Sequence, residues 1–218
     1  MKAVKIKVLN MKILILGGSG SVGKHLVQQA LELGHEVTVL LRSTGNLTIQ
    51  HMRLRVLEGN VLVPETVAAA VEGQDAVVYS IGSDRMGEVT LFSESTRILL
   101  IAMKKYGVRR LVAITGIGAG DSKGHGGWFY EWFIYPLFTK KIYIDKDRQE
   151  QLIRASDLEW VIVRPAAFTN GPLGGRLRAM TELDGVTIAS ISRADTAAFV
   201  LDQLSNDQWL RKTPLVGY

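Results

Sequence analysis

The chain has no cysteine, only five prolines and no apolar run long enough to cross a bilayer. Without cysteine, disulfides, thiolate catalysis and cysteine-bound zinc are excluded, and a reducing compartment fits. The four histidines, at positions 25, 35, 51 and 125, are too scattered for a His-only site, so no metal is expected. A secretory signal needs an unbroken apolar stretch of about 7 to 15 residues, and Lys5, Lys7, Asn10 and Lys12 interrupt the opening. The run at 128–138 contains Glu131 and Pro136 and is short of the roughly 20 residues of a spanning helix. The chain therefore reads as cytoplasmic, without a membrane partner. Residues 1–10 precede a second methionine, Met11, and three readings stay open: an extension, an alternative start or an additional strand.

What is present suits one globular domain: 218 residues, 47% hydrophobic and 22% charged. A domain of this size buries about 70% of its unfolded surface and holds together without covalent staples. The net charge of +5 is unevenly spread, with 8 Lys/Arg against 3 Asp/Glu in residues 1–60 and balance beyond. An anionic partner is therefore sought in the N-terminal quarter, where Arg42, Arg53 and Arg55 lie; Lys2, Lys5 and Lys7 stay unexplained. No helix-turn-helix, zinc-finger or aromatic-basic pattern supports a nucleic-acid partner.

Short apolar runs alternate with helical patterns, which predicts a parallel sheet covered by helices on both faces. Strands are expected at 13–16, 36–41, 54–57, 76–79, 111–115 and 160–164. Helices are expected at 24–33, from Pro64 to about Gly73, at 91–106 and at 145–155. Beyond Pro165 the alternation weakens: a glycine-rich loop at 171–175, a helix capped by Asp195 running to about Leu204, and a last edge strand at 214–218. The fold class is α/β, a single doubly wound Rossmann-type domain spanning 1–218. Residues 11–164 form its cofactor-binding core and 165–218 a small substrate-side region.

Directly after the first strand comes Gly17-Gly18-Ser19-Gly20-Ser21-Val22-Gly23, which runs into the first helix. Glycine serves a tight turn, close approach of backbone to a pyrophosphate, and helix–strand contact, while the helix N-terminus offers N–H groups to phosphates. Strand–turn–helix context turns a weak glycine spacing into a dinucleotide site. An NAD site usually carries an acidic residue about 20 residues further on. Here Arg42 and Ser43 stand at that place, and a guanidinium forms paired bonds to a 2′-phosphate, so NADP(H) is expected over NAD(H). Asn60 is placed at the adenine edge, and Ser80 and Gly82 beside the middle of the cofactor.

These stretches, with GVRRLVAITG at 107–116, DKDRQEQLIRASDLEWVIVRPAAFTNGP at 145–172 and SRADTAAFVLDQL at 192–204, resemble the atypical short-chain dehydrogenase/reductase group. Within it the likeness is to the NAD(P)H-binding, NmrA-like proteins that include the biliverdin-IXβ/flavin reductases. The resemblance implies that Pro165, Ala166, Ala167 and Phe168 run beside the nicotinamide. It also implies a catalytic hydroxyl after the fifth strand and a Tyr-x-x-x-Lys pair. Lys146 fits the lysine, but four residues earlier stands Ile142, with Tyr143 one place off, and Thr115 is followed by Gly116 where a serine is expected. Thr115, Tyr143 and Lys146 are the catalytic candidates, with Thr115 and Lys146 also against the cofactor ribose.

A weak proton relay suits a planar acceptor such as a flavin, quinone or linear tetrapyrrole, which needs orientation more than acid catalysis. Residues 128–138 hold seven of the chain's 16 aromatic residues after a glycine-rich stretch. They read either as core or interface or as an aromatic wall with Trp128 and Trp132, beside His125 as a proton donor. The leading expectation is an NADPH-dependent reductase, monomeric or a small homo-oligomer. A non-catalytic NADP(H) sensor and an epimerase-type enzyme are the competitors.

Overall fold

Ile13 to Leu16 are apolar without interruption because they are buried on both faces of the sheet. In the computed structural model, which describes residues 10–82, 89–122, 140–184 and 186–218, they form β1 (Lys12–Leu16). Ile13 and Ile15 enter one core cluster and Leu14 and Leu16 the other. Then follow α1 (Gly23–Glu32), β2 (Glu36–Leu41), β3 (Leu54–Glu58), α2 (Pro64–Val71), β4 (Ala76–Tyr79) and α3 (Leu91–Tyr106). After these come β5 (Arg110–Ile114), α4 (Lys140–Arg154), β6 (Glu159–Pro165), β7 (Ala167–Thr169), β8 (Arg178–Met180), β9 (Ser190–Ser192), α5 (Arg193–Asp202) and β10 (Leu215–Gly217).

The main sheet has the order β3-β2-β1-β4-β5-β6-β10-β8, parallel except for β8, which pairs antiparallel with β10. Residues of α1 and α5 fill the cluster on one face, and residues of α2, α3 and α4 pack into the cluster on the other. The chain is a single Rossmann-type α/β domain. The order reverses between β1 and β4, which opens a crevice outside the carboxyl ends of these strands.

Three expectations are corrected. The strand at 214–218 is not an edge: β10 lies between β6 and β8, bonded on both sides, and the three-residue β8 is the edge. The helix expected from Asp145 already includes Lys140, which brings Tyr143 onto it. Asp195 is not the cap of α5; Ser192 is, its hydroxyl accepting the Asp195 N–H at 2.9 Å. A two-stranded parallel sheet, β7 with β9, adds a second layer beyond the end of β6.

Candidate dinucleotide site and the buried floor beside it

The glycine turn lies at the reversal point. Gly17 has φ +90° and a Cβ there would strike the Ser80 carbonyl; a Cβ on Gly23 would strike the Gly17 carbonyl. Glycine is thus required where the turn meets β4 and where α1 meets the turn. No side chain caps the first turn of α1 and no acidic residue lies in it, so its positive end faces the crevice uncompensated.

A cavity of about 640 Å³ opens there, lined by Gly17, Ser19, Gly20, Arg42, Asn60 and Gly82 among others. That volume lies within the range of about 300–1,000 Å³ usual for small-molecule and cofactor sites. The other expected residues flank it. Gly18 packs on Val39 and Val27, Val22 is buried, and Ser43 follows Arg42 in extended backbone. Ser80 donates its N–H to Leu16. The Asn60 side-chain oxygen accepts the Leu62 N–H at 3.0 Å, closing the turn after β3.

Sequence reasoning missed Val61, Leu62, Val89, Thr90 and Leu91 in the lining. Leu62 is an exposed apolar residue in the turn between Asn60 and Pro64, whereas Val61 also packs against the core. Arg53 does not share this site with Arg42, which corrects the charge reading. Its guanidinium donates to the Gly34 carbonyl at 2.6 Å, and its own carbonyl accepts the Val37 N–H near the amino end of β2.

Beside the cavity, the carboxyl ends of β5 and β6 carry a buried ionic lock. Glu150, from α4, receives the Thr115 hydroxyl at 2.7 Å on Oε1. Arg164 reaches the same carboxylate with Nε at 3.0 Å and Nη2 at 2.6 Å, both side chains almost wholly buried. The Asp147 carboxylate accepts the Gly120 N–H at 2.8 Å and tethers the loop after β5.

Lys146 lies one turn before Glu150. Its Nζ donates to the Ile114 carbonyl at 3.3 Å and stands 4.3 Å from the centre of the Phe92 ring. Burial lowers its pKa to about 8, against the opposing pull of the Glu150 and Asp145 carboxylates. Asp145 accepts the Phe92 N–H at 2.8 Å and the Ser93 hydroxyl, so α4 supplies the cap that α3 lacks in its own sequence. Tyr143, three residues before Lys146, shares its helix face. The Tyr143 ring lies on the loop after β5, where a Cβ at Gly116 would come within 2.6 Å of its hydroxyl.

Pro165 ends β6 and accepts the Ile117 N–H at 3.1 Å, Ala166 is buried, and Ala167 and Phe168 are exposed on β7. Pro165, Ala166, Ala167 and Phe168 lie off the carboxyl end of β6 but do not line the cavity. His125, Trp128 and Trp132 lie outside the described residues. Among the described residues no cluster of His, Asp and Glu could hold a metal, and no helix is long and apolar enough to cross a membrane.

A glycine turn at the reversal point of a parallel sheet, with a cavity across it, defines a Rossmann-type dinucleotide-binding protein. The family model described as NAD(P)H-binding matches residues 17–207, and the chain belongs to that family. It is similar to the photosystem II assembly factor Ycf39 of Synechocystis, 26% identical over 95% of this chain and 63% of that protein. Among solved structures it is similar to the oxidoreductase ylbE from Lactococcus lactis, at TM-score 0.81 and 22% identity over 95% of this chain and 90% of that one. A short-chain dehydrogenase/reductase from Veillonella parvula in complex with NADP matches at TM-score 0.79 and 20% identity over 96% and 95%.

Proposed function

We propose that this chain is an NADPH-dependent reductase that passes hydride to a planar acceptor such as a flavin or quinone. The observation that carries the reading is the cavity shared by the glycine turn and Arg42. The uncapped start of α1 suits the pyrophosphate, and the Arg42 guanidinium, exposed at the end of β2, suits a 2′-phosphate. Asn60, Val61 and Leu62 form an amide-and-apolar edge suited to adenine. Bound NADPH supplies two electrons as a hydride, and the acceptor takes that hydride and one proton.

The floor supports this choice of acceptor. The Thr115 hydroxyl proton is committed to Glu150 and residue 116 carries no side chain, so the proton is drawn from solvent or from Tyr143. Lys146 holds the end of β5 in place, and the chain from Pro165 through Phe168 borders the acceptor side. The same committed hydroxyl favours one other reading, an NADP(H) sensor without turnover.

The test is NADPH oxidation by the purified protein with flavins, quinones and aldehydes. Turnover with a flavin or quinone and not with aldehydes is expected; tight NADPH binding without turnover on any acceptor would establish the sensor instead. Arg42→Asp is expected to weaken NADPH about ten- to a hundredfold while sparing NADH, in line with about 1.5–3 kcal/mol for hydrogen bonds to charged groups. An unchanged NADPH dissociation constant would remove the 2′-phosphate assignment.

A further inference from the structure

Three arginines of the C-terminal half are withdrawn from solvent to different degrees, and two are paired. Arg110 meets Asp207 at 2.9 Å, and Arg164 meets Glu150 at 2.6 Å. Arg193, half-buried at the start of α5, forms no ion pair among the described residues. Its Nη1 donates to the neutral Asn170 amide oxygen at 2.8 Å, and its Nε is shielded from water with no hydrogen-bond partner. The nearest carboxylate in sequence, Asp195, is engaged by Gly174, Gly175, Ser192 and Tyr218.

The position matters as much as the missing partner. β7 continues from the carboxyl end of β6, and β9 runs parallel to it and leads into Arg193. The guanidinium carbon stands 5.4 Å from the centre of the Phe168 ring, which is 39% exposed, and Leu173 nearby in sequence is 58% exposed. An uncompensated guanidinium beside an exposed aromatic ring can receive a flat ring that carries a negative group.

We infer that the acceptor is anionic, and that Arg193 pairs with its carboxylate, sulfonate or phosphate while Phe168 borders its ring. The inference rests on the reductase reading above and adds the charge class of the acceptor. The Nη1–Asn170 bond fixes the fork and leaves Nη2, which has no hydrogen bond among the described residues, to the ligand.

Matched probes test it: FMN against riboflavin, and naphthoquinone sulfonate against naphthoquinone, each pair differing only in the anion. Binding is measured with the protein saturated with NADP⁺, so that it does not depend on turnover. The anionic member of each pair is expected to bind about 10-fold tighter or more, the scale of a charged hydrogen bond. In Arg193→Gln that ratio falls toward one, and in Arg193→Lys, which keeps charge but not the fork, it recovers in part. Equal binding within both pairs, an unchanged ratio in Arg193→Gln, or no binding of either anionic probe at about 1 mM would overturn the inference. Anion discrimination without NADPH oxidation would instead overturn the reductase reading and leave the Arg193 site standing.

Discussion

The cavity over β1, β2 and β4 and the floor over β5 and β6 both lie at the carboxyl ends of the strands of one sheet but are built from different material. One side of the cavity rim is backbone and turn, Gly17, Ser19, Gly20 and Gly82, with Arg42 as its exposed charge, and apolar side chains such as Leu62 and Leu91 line the rest. The floor is made of side chains: Thr115, Glu150 and Arg164 satisfy one another, while Asp147 and Lys146 bond the backbone of the loop after β5 and of β5 itself. Backbone recognition leaves charge and N–H groups open for a ligand, whereas a closed ionic network spends them on the fold. Substitutions should therefore separate: floor variants lose stability first, and rim variants lose ligand first.

The largest effect is expected at Glu150. Its carboxylate is buried against Arg164, so Glu150→Gln removes the charge that this guanidinium meets at 2.6 Å. Losing one partner of a buried pair costs about 3–5 kcal/mol, readable by urea unfolding. Replacing both, as in Glu150→Leu with Arg164→Met, is expected to return much of that loss. If Glu150→Gln is nearly neutral, the floor is not a lock and the contrast with the rim fails.

Gly17→Ala reads the rim. A Cβ at φ +90° strikes the Ser80 carbonyl, and left-handed backbone alone costs a non-glycine residue about 1–2 kcal/mol. The expected outcome is a modest loss of stability with a larger loss of NADPH affinity, because the turn must open toward the crevice. Titration of NADPH alongside urea unfolding separates the two, and retained affinity would show that the turn does not shape the site.

Lys146 sharpens the comparison through pH. Its folded pKa of about 8 is below the ordinary 10.5, so between these values the unfolded chain holds the extra proton. Stability therefore rises with pH through that window, by at most about 1.4 kcal/mol per unit, and is flat with respect to this group below it. Lys146→Met removes the rise. A wild-type and variant difference that does not change between pH 8 and 10 would mean that the amine is not held in the floor.

The rim was legible because its signals are local: an apolar run, glycines at fixed spacing, then a helix. The floor was legible only in part: the family resemblance singled out Thr115 and Lys146, but nothing in the local pattern of α4 marked Asp145, Lys146, Gln149 and Glu150 as buried. All four are buried, and their partners lie far away in sequence, at Ser93, Ile114, Thr96 and Arg164. The spacing 145/149 and 146/150 marks one helix face, but only knowledge of the facing elements tells that it points inward. β7, β8 and β9 were missed for a different reason: three-residue strands hold no periodicity, and pairing alone defines them.

The smallest expected effect belongs to a junction between the two kinds of construction. The Ser192 hydroxyl accepts the Asp195 N–H at the start of α5, as a cap on backbone, and donates to the Asp195 carboxylate, as part of a side-chain network. Burial would raise the Asp195 pKa, but hydrogen bonds from Gly174, Tyr218, Gly175 and Ser192 together hold it below the ordinary 3.8. Asp195 thus adds stability above that value and loses it as pH falls through its lower folded pKa. Ser192→Ala removes one of the four donors and the cap together, which is expected to cost about 1 kcal/mol at neutral pH. It should also raise the acid midpoint of unfolding slightly, since the remaining donors hold the carboxylate less tightly. If neutral-pH stability falls without any acid shift, Ser192 acts as a backbone cap alone and belongs with the rim; if both move, it belongs with the floor.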